Sequence, residues 1–264
     1  MQGLPFPKID PVIVHLGPLA IRWYSLAYIA GIVGGWFYVK WLNVKLARGI
    51  TEKAIEDLVF YIIIGVVLGG RLGYVFIYQP DHYFEHPAEI FMLWRGGMSF
   101  HGGLLGVISA TIYVCRKHKI NFFNLMDLIA CATPIGLFFG RLANFVNGEL
   151  FGRVTGVPWG MVFPNGGDLP RHPSQLYEAT LEGLLLFIIL FISARYTRLA
   201  NKVGALSGIF MLGYAIARET CEHFREPDEQ LGYFFSFITM GQILSLPMIL
   251  IGLYLIFRKQ TASA

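Results

Sequence analysis

His101 stands among glycines, an unusual setting for the side chain whose ordinary pKa suits proton transfer near neutral pH. The stretch from Gly96 to Gly106 holds five glycines, which allow close approach of a neighbouring helix or of a ligand. We therefore predict that His101, Gly102 and Gly103 belong to a reactive or ligand-binding site. The alternative is a packing seam between helices that carries an incidental polar group.

A cation, two amides and a carboxylate follow one another between Arg141 and Glu149. Arg141 and Asn144 are three residues apart, so a helix places them on one face, and Asn147 continues that face. Gly148 is expected to end the helix. The set resembles the wall of a binding site; the alternative is a group of helix-capping and loop hydrogen bonds.

Tyr214, Arg218 and Glu222 recur at intervals of four residues, and Arg225 follows three residues later. A helix therefore presents a phenol, two guanidinium groups and a carboxylate on one face. Such a face suits the binding of an anion. A structural ladder of ion pairs is the alternative, although exposed ion pairs contribute only about 0–1 kcal/mol each.

Glu178 and Glu182 are four residues apart, after a predicted helix entry at residues 173–174. Both carboxylates must point into a bundle of helices if they are to avoid lipid. His172 precedes the helix entry and is a candidate binding residue, with capping or orientation of the loop as the alternative.

Composition indicates the elements that must position these residues. Hydrophobic residues make up 55% of the 264-residue chain and charged residues 14%, whereas soluble domains carry about 25% charged residues. The mean hydropathy is +0.55. We predict an all-α polytopic membrane bundle of about seven helices that forms a single integral membrane domain over residues 1–264. The net charge of +4 is attributed to cytoplasmic loops rather than to nucleic-acid binding.

Seven apolar runs are the predicted spans, at about residues 19–39, 58–77, 98–114, 125–145, 176–192, 205–217 and 238–257. The first, third and fifth loops and the tail are rich in lysine and arginine, which predicts that they are cytoplasmic. The N-terminus is then outside and the C-terminus in the cytoplasm. Tyr24, beside Trp23 early in the first run, is either an interfacial aromatic or a site residue.

The basic residues predicted on the outer side are almost all arginines, although positive-inside bias should deplete them there. Arginine grips phosphate with a planar fork and stays charged when partly desolvated. We therefore predict that an anionic ligand is held in the outer half of the membrane. The outer arginines are Arg22, Arg71, Arg95, Arg141, Arg153, Arg171, Arg218 and Arg225.

Four separated motifs closely resemble those of bacterial prolipoprotein diacylglyceryl transferases, and they occur in the same order as in that family. They are GMSFHGGL at 97–104, GRLANFVNGE at 140–149, RHPSQLYE at 171–178 and RETCEHFR at 218–225. The resemblance extends from residues 6–24 into the last span. It implies transfer of the diacylglyceryl group of phosphatidylglycerol to the lipobox cysteine thiol of a prolipoprotein signal peptide, with release of glycerol phosphate. It also implies a multi-pass protein of the bacterial cytoplasmic (inner) membrane, with its active site toward the periplasm and no soluble cofactor.

The resemblance allows roles to be assigned as hypotheses. Arg141 and Arg218 hold the phosphate, His101 is the general base for the thiol, and Glu222 orients Arg218 or is the rival proton-handling group. Tyr24, Asn144, Glu149 and Gly152 match family positions linked to substrate binding. The remaining predicted substrate-binding residues are Gly102, Gly103, Tyr214, Arg225, His172 and Glu178.

Two other classes of function remain as alternatives. A lipid or small-anion transporter also needs buried charges, but it predicts polar residues along a full transmembrane path, and here they cluster on one side. An intramembrane protease that uses Ser99 and His101 is disfavoured, because residues two apart do not face each other on a helix. The sequence has no His-Glu-x-x-His pattern and no metal-type cysteine spacing, so no metal site is predicted.

Overall fold

The computed structural model describes residues 3–17, 19–226 and 240–259. Helices dominate this part of the chain. The described residues form two compact units. Residues 47–126 are called the hairpin unit below, and the described residues of 1–46 and 127–264 are called the discontinuous unit.

The helices coincide broadly with the predicted apolar runs. The α-helices are α1 (Trp23–Lys45), α2 (Glu52–Gly73), α3 (Pro80–Glu85), α4 (Phe100–His118), α5 (Phe122–Val146), α6 (Ser174–Glu178), α7 (Leu186–Tyr196), α8 (Ala205–Glu222) and α9 (Met240–Phe257). A π-helical turn, Tyr74–Tyr78, extends α2, and another, Ala179–Leu185, joins α6 to α7. Short 3-10 helices cover Pro87–Phe91, Leu93–Arg95 and Arg198–Asn201.

Three of the described helices are long and apolar enough to cross a membrane, namely Glu52–Tyr78, Phe122–Val146 and Ser174–Tyr196. A shorter apolar helix covers Ser245–Phe257. The prediction of a helical multi-pass membrane protein is confirmed at this level. The last predicted span begins at residue 238, and residues 238 and 239 lie outside the described part.

The start of the first predicted span is wrong by four residues. Leu19–Arg22 form strand β3, which pairs antiparallel with β2 (Val12–Leu16), and α1 begins only at Trp23. The apolar residues Val14 and Ile21 are partners in this hairpin, so their hydrophobicity belongs to a strand pair. A second small sheet pairs β1 (Leu4–Pro5) in parallel with β4 (Met161–Val162).

Glycines form the contact between α2 and α4 in the hairpin unit. A Cβ built on Gly73 would lie 2.8 Å from the Cα of Gly102, and one built on Gly65 would lie 2.5 Å from the Gly106 carbonyl oxygen. Side chains at these positions would force the helices apart. The packing seam that the sequence left as an alternative is thus present, and it accounts for Gly102 without a ligand.

Arg71 organises the loop that precedes α4. Its side chain is 3% exposed and donates hydrogen bonds to the carbonyl oxygens of Glu89 at 2.6 Å, Ile90 at 2.8 Å and Gly96 at 2.5 Å. In the same loop, Arg95 and His82 bind Glu89 and hold the pKa of that carboxyl below its ordinary value. Arg71, one of the arginines predicted on the outer side, therefore satisfies backbone acceptors of its own loop.

In the discontinuous unit, the buried Asp127 of α5 binds the N-terminal turn of α8. Its carboxylate accepts hydrogen bonds from the Gly204 amide at 2.8 Å and from the amide and hydroxyl of Ser207 at 2.9 and 2.8 Å. A carboxylate at this position satisfies N–H groups that lack a partner inside the helix and interacts favourably with the helix dipole. The aspartate therefore fixes the first turn of α8 to α5.

Candidate active site

Three segments of the discontinuous unit bring six charged side chains together in its interior. Their charges balance, because three are arginines and three are glutamates. Arg141 comes from α5, Glu178 and Glu182 from α6 and the π-helical turn that follows, Arg218 and Glu222 from α8, and Arg225 from the residues just after α8.

Glu178 is the centre of this cluster. Its carboxylate lies 3.3 Å from Arg141 Nε, 2.9 Å from Arg218 Nη1 and 3.2 Å from Arg225 Nη1, and its side chain is 0% exposed. One anion therefore faces three cations. The prediction that this glutamate points into the bundle is confirmed, and the arginines explain how it is tolerated there.

Two more glutamates complete the pairing. Glu182 lies 3.4 Å from Arg141 Nη2, and Glu222 lies 2.7 Å from Arg218 Nη2. The side chains of Arg141 and Arg218 remain 16% and 14% exposed. The two guanidinium groups predicted to bind phosphate are thus oriented by carboxylates, and neither side chain is fully buried.

Two tyrosines lie beside these polar groups. The Tyr214 phenol of α8 is near enough to Glu182, Arg218 and Arg141 to interact with their charges. Tyr24 of α1 is within hydrogen-bonding reach of the Asn144 side chain, and its ring centroid lies 5.2 Å from that of Tyr28. Substrate binding by Tyr24 and Tyr214 stays a prediction.

Glu149 follows the end of α5 and binds the side chains of two asparagines. Its Oε1 accepts hydrogen bonds from Asn144 at 2.9 Å and Asn147 at 3.2 Å, so the predicted run of amides and carboxylate does converge. The fully buried Gln175 donates to the Glu149 carbonyl oxygen at 2.6 Å. Gln175 lies in the third motif, but its role could not be predicted from local sequence because its partner is 26 residues away.

Gly152 lies where three backbone segments meet. Its amide donates to the His172 carbonyl oxygen at 2.8 Å, and it forms a β-bridge with Arg225. A Cβ there would overlap the Phe224 carbonyl oxygen and would lie 2.8 Å from the His172 Cβ. Glycine is therefore required for this close approach, and substrate binding at Gly152 stays a prediction.

His172 is held within an aromatic group in front of α6. Its Nδ1 lies 3.2 Å from the Tyr177 hydroxyl, which also accepts a hydrogen bond from Trp159 Nε1 at 2.7 Å. Partial burial lowers the pKa of His172 below its ordinary value, which favours the neutral ring. These contacts orient the His172 ring, and substrate binding by His172 stays a prediction.

Two further arginines, predicted on the outer side, bind other parts of the chain. Arg153 Nε donates to the Arg225 carbonyl oxygen at 2.8 Å. Arg171 donates to the Gly166 carbonyl oxygen and forms an ion pair with Glu226, both at 2.8 Å. These contacts fix the segment between α5 and α6 on which Gly152 and His172 lie.

His101 belongs to the hairpin unit. It is exposed on the first turn of α4, where its ring meets Phe100 edge-to-face at 5.6 Å between centroids. Ser99 caps the helix, and its Oγ accepts a hydrogen bond from the Gly102 amide at 3.2 Å. The buried Ser99 thus serves the backbone. The base role of His101 stays a prediction, as does substrate binding by Gly103.

Comparison of the sequence with known proteins shows the family of this chain. The sequence profile of the prolipoprotein diacylglyceryl transferases matches residues 11–258. A phosphatidylglycerol–prolipoprotein diacylglyceryl transferase of Rhodospirillum rubrum is 57% identical over 253 residues, which cover 95% of this chain and 92% of the relative. Proteins with the same name from Paramagnetospirillum magneticum and Rickettsia felis are 56% and 53% identical, over 96% of this chain and 95% and 98% of their own lengths. The chain belongs to the prolipoprotein diacylglyceryl transferase family.

Proposed function

We propose that this chain is an enzyme that transfers the diacylglyceryl group of phosphatidylglycerol to the lipobox cysteine of a prolipoprotein. The observation that carries the proposal is identity above 50%, over nearly the whole length, to relatives named for this activity. In the reaction, the thiol sulfur forms a bond to the glycerol carbon that carries the phosphate. The carbon–oxygen bond breaks, glycerol phosphate leaves, and the thiol proton passes to a base.

The buried cluster suits the phosphate side of this reaction. Arg141 and Arg218 are held in place by Glu178, Glu182 and Glu222, so little reorganisation is needed when a phosphate approaches them. Negative charge grows on the phosphate as the carbon–oxygen bond breaks. Fixed guanidinium groups stabilise that charge more in the transition state than in the bound lipid, which is the condition for faster chemistry.

The other proposed roles concern the thiol and the substrates. His101 removes the thiol proton. Glu222, whose carboxylate lies 2.7 Å from Arg218, is the rival base. Tyr24, Asn144 and Glu149 contact the substrates at the end of α5. The remaining proposed substrate contacts are Gly102, Gly103, Gly152, Tyr214, Arg225, His172 and Glu178.

We further propose seven spans in one membrane domain, an outer N-terminus and a cytoplasmic C-terminus, in the bacterial inner membrane. The lengths of α1 with 23 residues, α4 with 19 and α8 with 18 support spans beyond the three that are clear from length and hydropathy. A common cytoplasmic side is supported by basic residues at three helix ends, namely Lys45 in the last turn of α1, Arg116 and Lys117 in the last turn of α4, and Arg258 and Lys259 just after α9. The active site then faces the periplasm.

The proposal is tested by incubating the purified protein with phosphatidylglycerol and a synthetic lipobox peptide. We expect release of glycerol phosphate together with the mass of a diacylglyceryl thioether on the peptide. Arg141→Ala should abolish both products, because the phosphate loses one of its two fixed cations. Arg116→Ala, an exposed arginine in the last turn of α4, is the matched control and should keep both. Lipid binding without either product would support a transporter or a lipid-binding protein instead.

A further inference from the structure

A group of positively charged side chains lies in the discontinuous unit, formed by residues outside the candidate active site. It is a shallow cleft of about 400 Å³. The residues that line it are Arg198, Asn201, Lys202, Phe257, Arg258 and Lys259. Four of these six carry a positive charge, and none carries a carboxylate.

Side chains from each wall of the cleft bind the backbone of the other wall. Lys202, which follows the 3-10 helix Arg198–Asn201, donates its Nζ to the Ile256 carbonyl oxygen near the end of α9. In return, Arg258 donates Nη2 to the Val203 carbonyl oxygen at 2.7 Å. The two bonds join the walls and fix Lys202 and Arg258, and Arg198 and Lys259 line the same cleft.

The cleft begins where apolar helices end. The apolar helix Ser174–Tyr196 precedes one wall, and Ser245–Phe257 precedes the other. Phe257 and Tyr254, on the last turns of α9, are 76% and 66% exposed. A cationic hollow beside exposed apolar side chains matches a molecule with a phosphate at one end and hydrocarbon at the other. The general excess of basic residues in cytoplasmic loops does not by itself require that they converge in a cleft.

We propose that this cleft binds the phosphate of an anionic phospholipid headgroup, with the acyl chains alongside α9. Basic pockets between membrane helices are sites where such headgroups bind, and each nearby lysine or arginine adds attraction. The proposed orientation places the cleft in the cytoplasmic leaflet. The lipid bound there is thus separate from the donor lipid at Arg141 and Arg218, and it does not depend on the transferase activity.

The test is native mass spectrometry of the purified protein in detergent, titrated with phosphatidylglycerol or with phosphatidylcholine. The variant Arg198→Gln/Lys259→Gln removes two of the four cations and leaves Lys202 and Arg258 bound to their carbonyls. We expect the wild-type protein to retain one more phosphatidylglycerol than the variant, whose affinity for that lipid should fall on the order of tenfold. Phosphatidylcholine should show no such difference.

Arg195→Gln is the matched control, because it removes an arginine at the same end of α7 whose guanidinium lies over the Tyr196 ring and outside the cleft. It should bind as the wild type does. If the double variant fails to fold, Lys259→Gln alone tests the same cleft. Equal lipid retention in all proteins overturns the proposal. Displacement of the lipid by millimolar inorganic phosphate also overturns it, since the ligand would then be a soluble anion.

Discussion

At the scale of single residues, the cluster around Glu178 is a site in which no charge is left without a counter-charge. Three arginines and three glutamates pair at distances of 2.7 to 3.4 Å. Charges taken out of water are costly alone, and their pairing repays that cost only when it is complete. The same pairing keeps the guanidinium groups charged and aimed, as binding of a phosphate requires.

We expect Glu178→Gln to be strongly destabilising. The change keeps the shape of the side chain but leaves three buried arginines facing two carboxylates. Breaking a buried pair in this way costs about 3–5 kcal/mol. The measurement is the thermal midpoint of the purified protein in detergent. Glu226→Gln is the matched control, because this 48% exposed carboxylate pairs with Arg171 at the surface and its loss costs only about 0–1 kcal/mol. Equal midpoints for the two variants would contradict the argument.

We expect His101→Gln to lower kcat about 10²- to 10⁴-fold, the usual contribution of a general base. Binding of phosphatidylglycerol should persist, because the phosphate is assigned to Arg141 and Arg218. Turnover with the lipobox peptide and lipid binding are measured side by side. His86→Gln, an exposed histidine of the same hairpin unit, is the control. Near-normal turnover of His101→Gln would remove it from the base role and leave Glu222 as the candidate.

At the scale of elements, α4 shows two kinds of glycine on one helix. Gly102 and Gly106 lie against the backbone of α2, where a Cβ would overlap the carbonyl oxygens of Gly69 and Gly65. A Cβ on Gly103 would meet nothing closer than the Val66 carbonyl oxygen at 3.8 Å, which is ordinary contact. The first two glycines are therefore required by packing, and Gly103 is not.

This difference gives a matched pair of substitutions. We expect Gly106→Ala to destabilise the protein by about 1–3 kcal/mol, because the helices must separate. Gly103→Ala should be neutral or more stable by roughly 0.5–1 kcal/mol, since alanine is the better helix former. Thermal midpoints in detergent measure both. A lower midpoint for Gly103→Ala would contradict the packing argument, whereas lost activity at an unchanged midpoint would support its proposed role in substrate binding.

At the scale of the whole molecule, the sequence predicted the class of structure and which polar residues lie in the candidate site. It did not predict which residues pair with one another. Composition and apolar runs are properties of local sequence, so the helices could be placed within a few residues. The pairing of Arg141 with Glu178 joins residues on different helices, and only the packed helices reveal it. For the same reason the sequence could only group Arg71, Arg153 and Arg171 with the arginines predicted on the outer side, whereas the structure reveals that they bind backbone carbonyl oxygens.

The contact between Asp127 and Gly204 has a consequence for the two arginines that lie farther along the same helices. Arg141 follows Asp127 by 14 residues, and Arg218 follows Gly204 by 14 residues. With a rise of about 1.5 Å per residue, both guanidinium groups project from nearly the same height, roughly 21 Å above that common anchor. The two helices therefore carry their arginines at equal distances from the contact between Asp127 and Gly204. Insertion or deletion of one residue between this contact and the arginine of either helix would rotate that arginine by about 100° around the helix axis and place the two arginines at unequal heights.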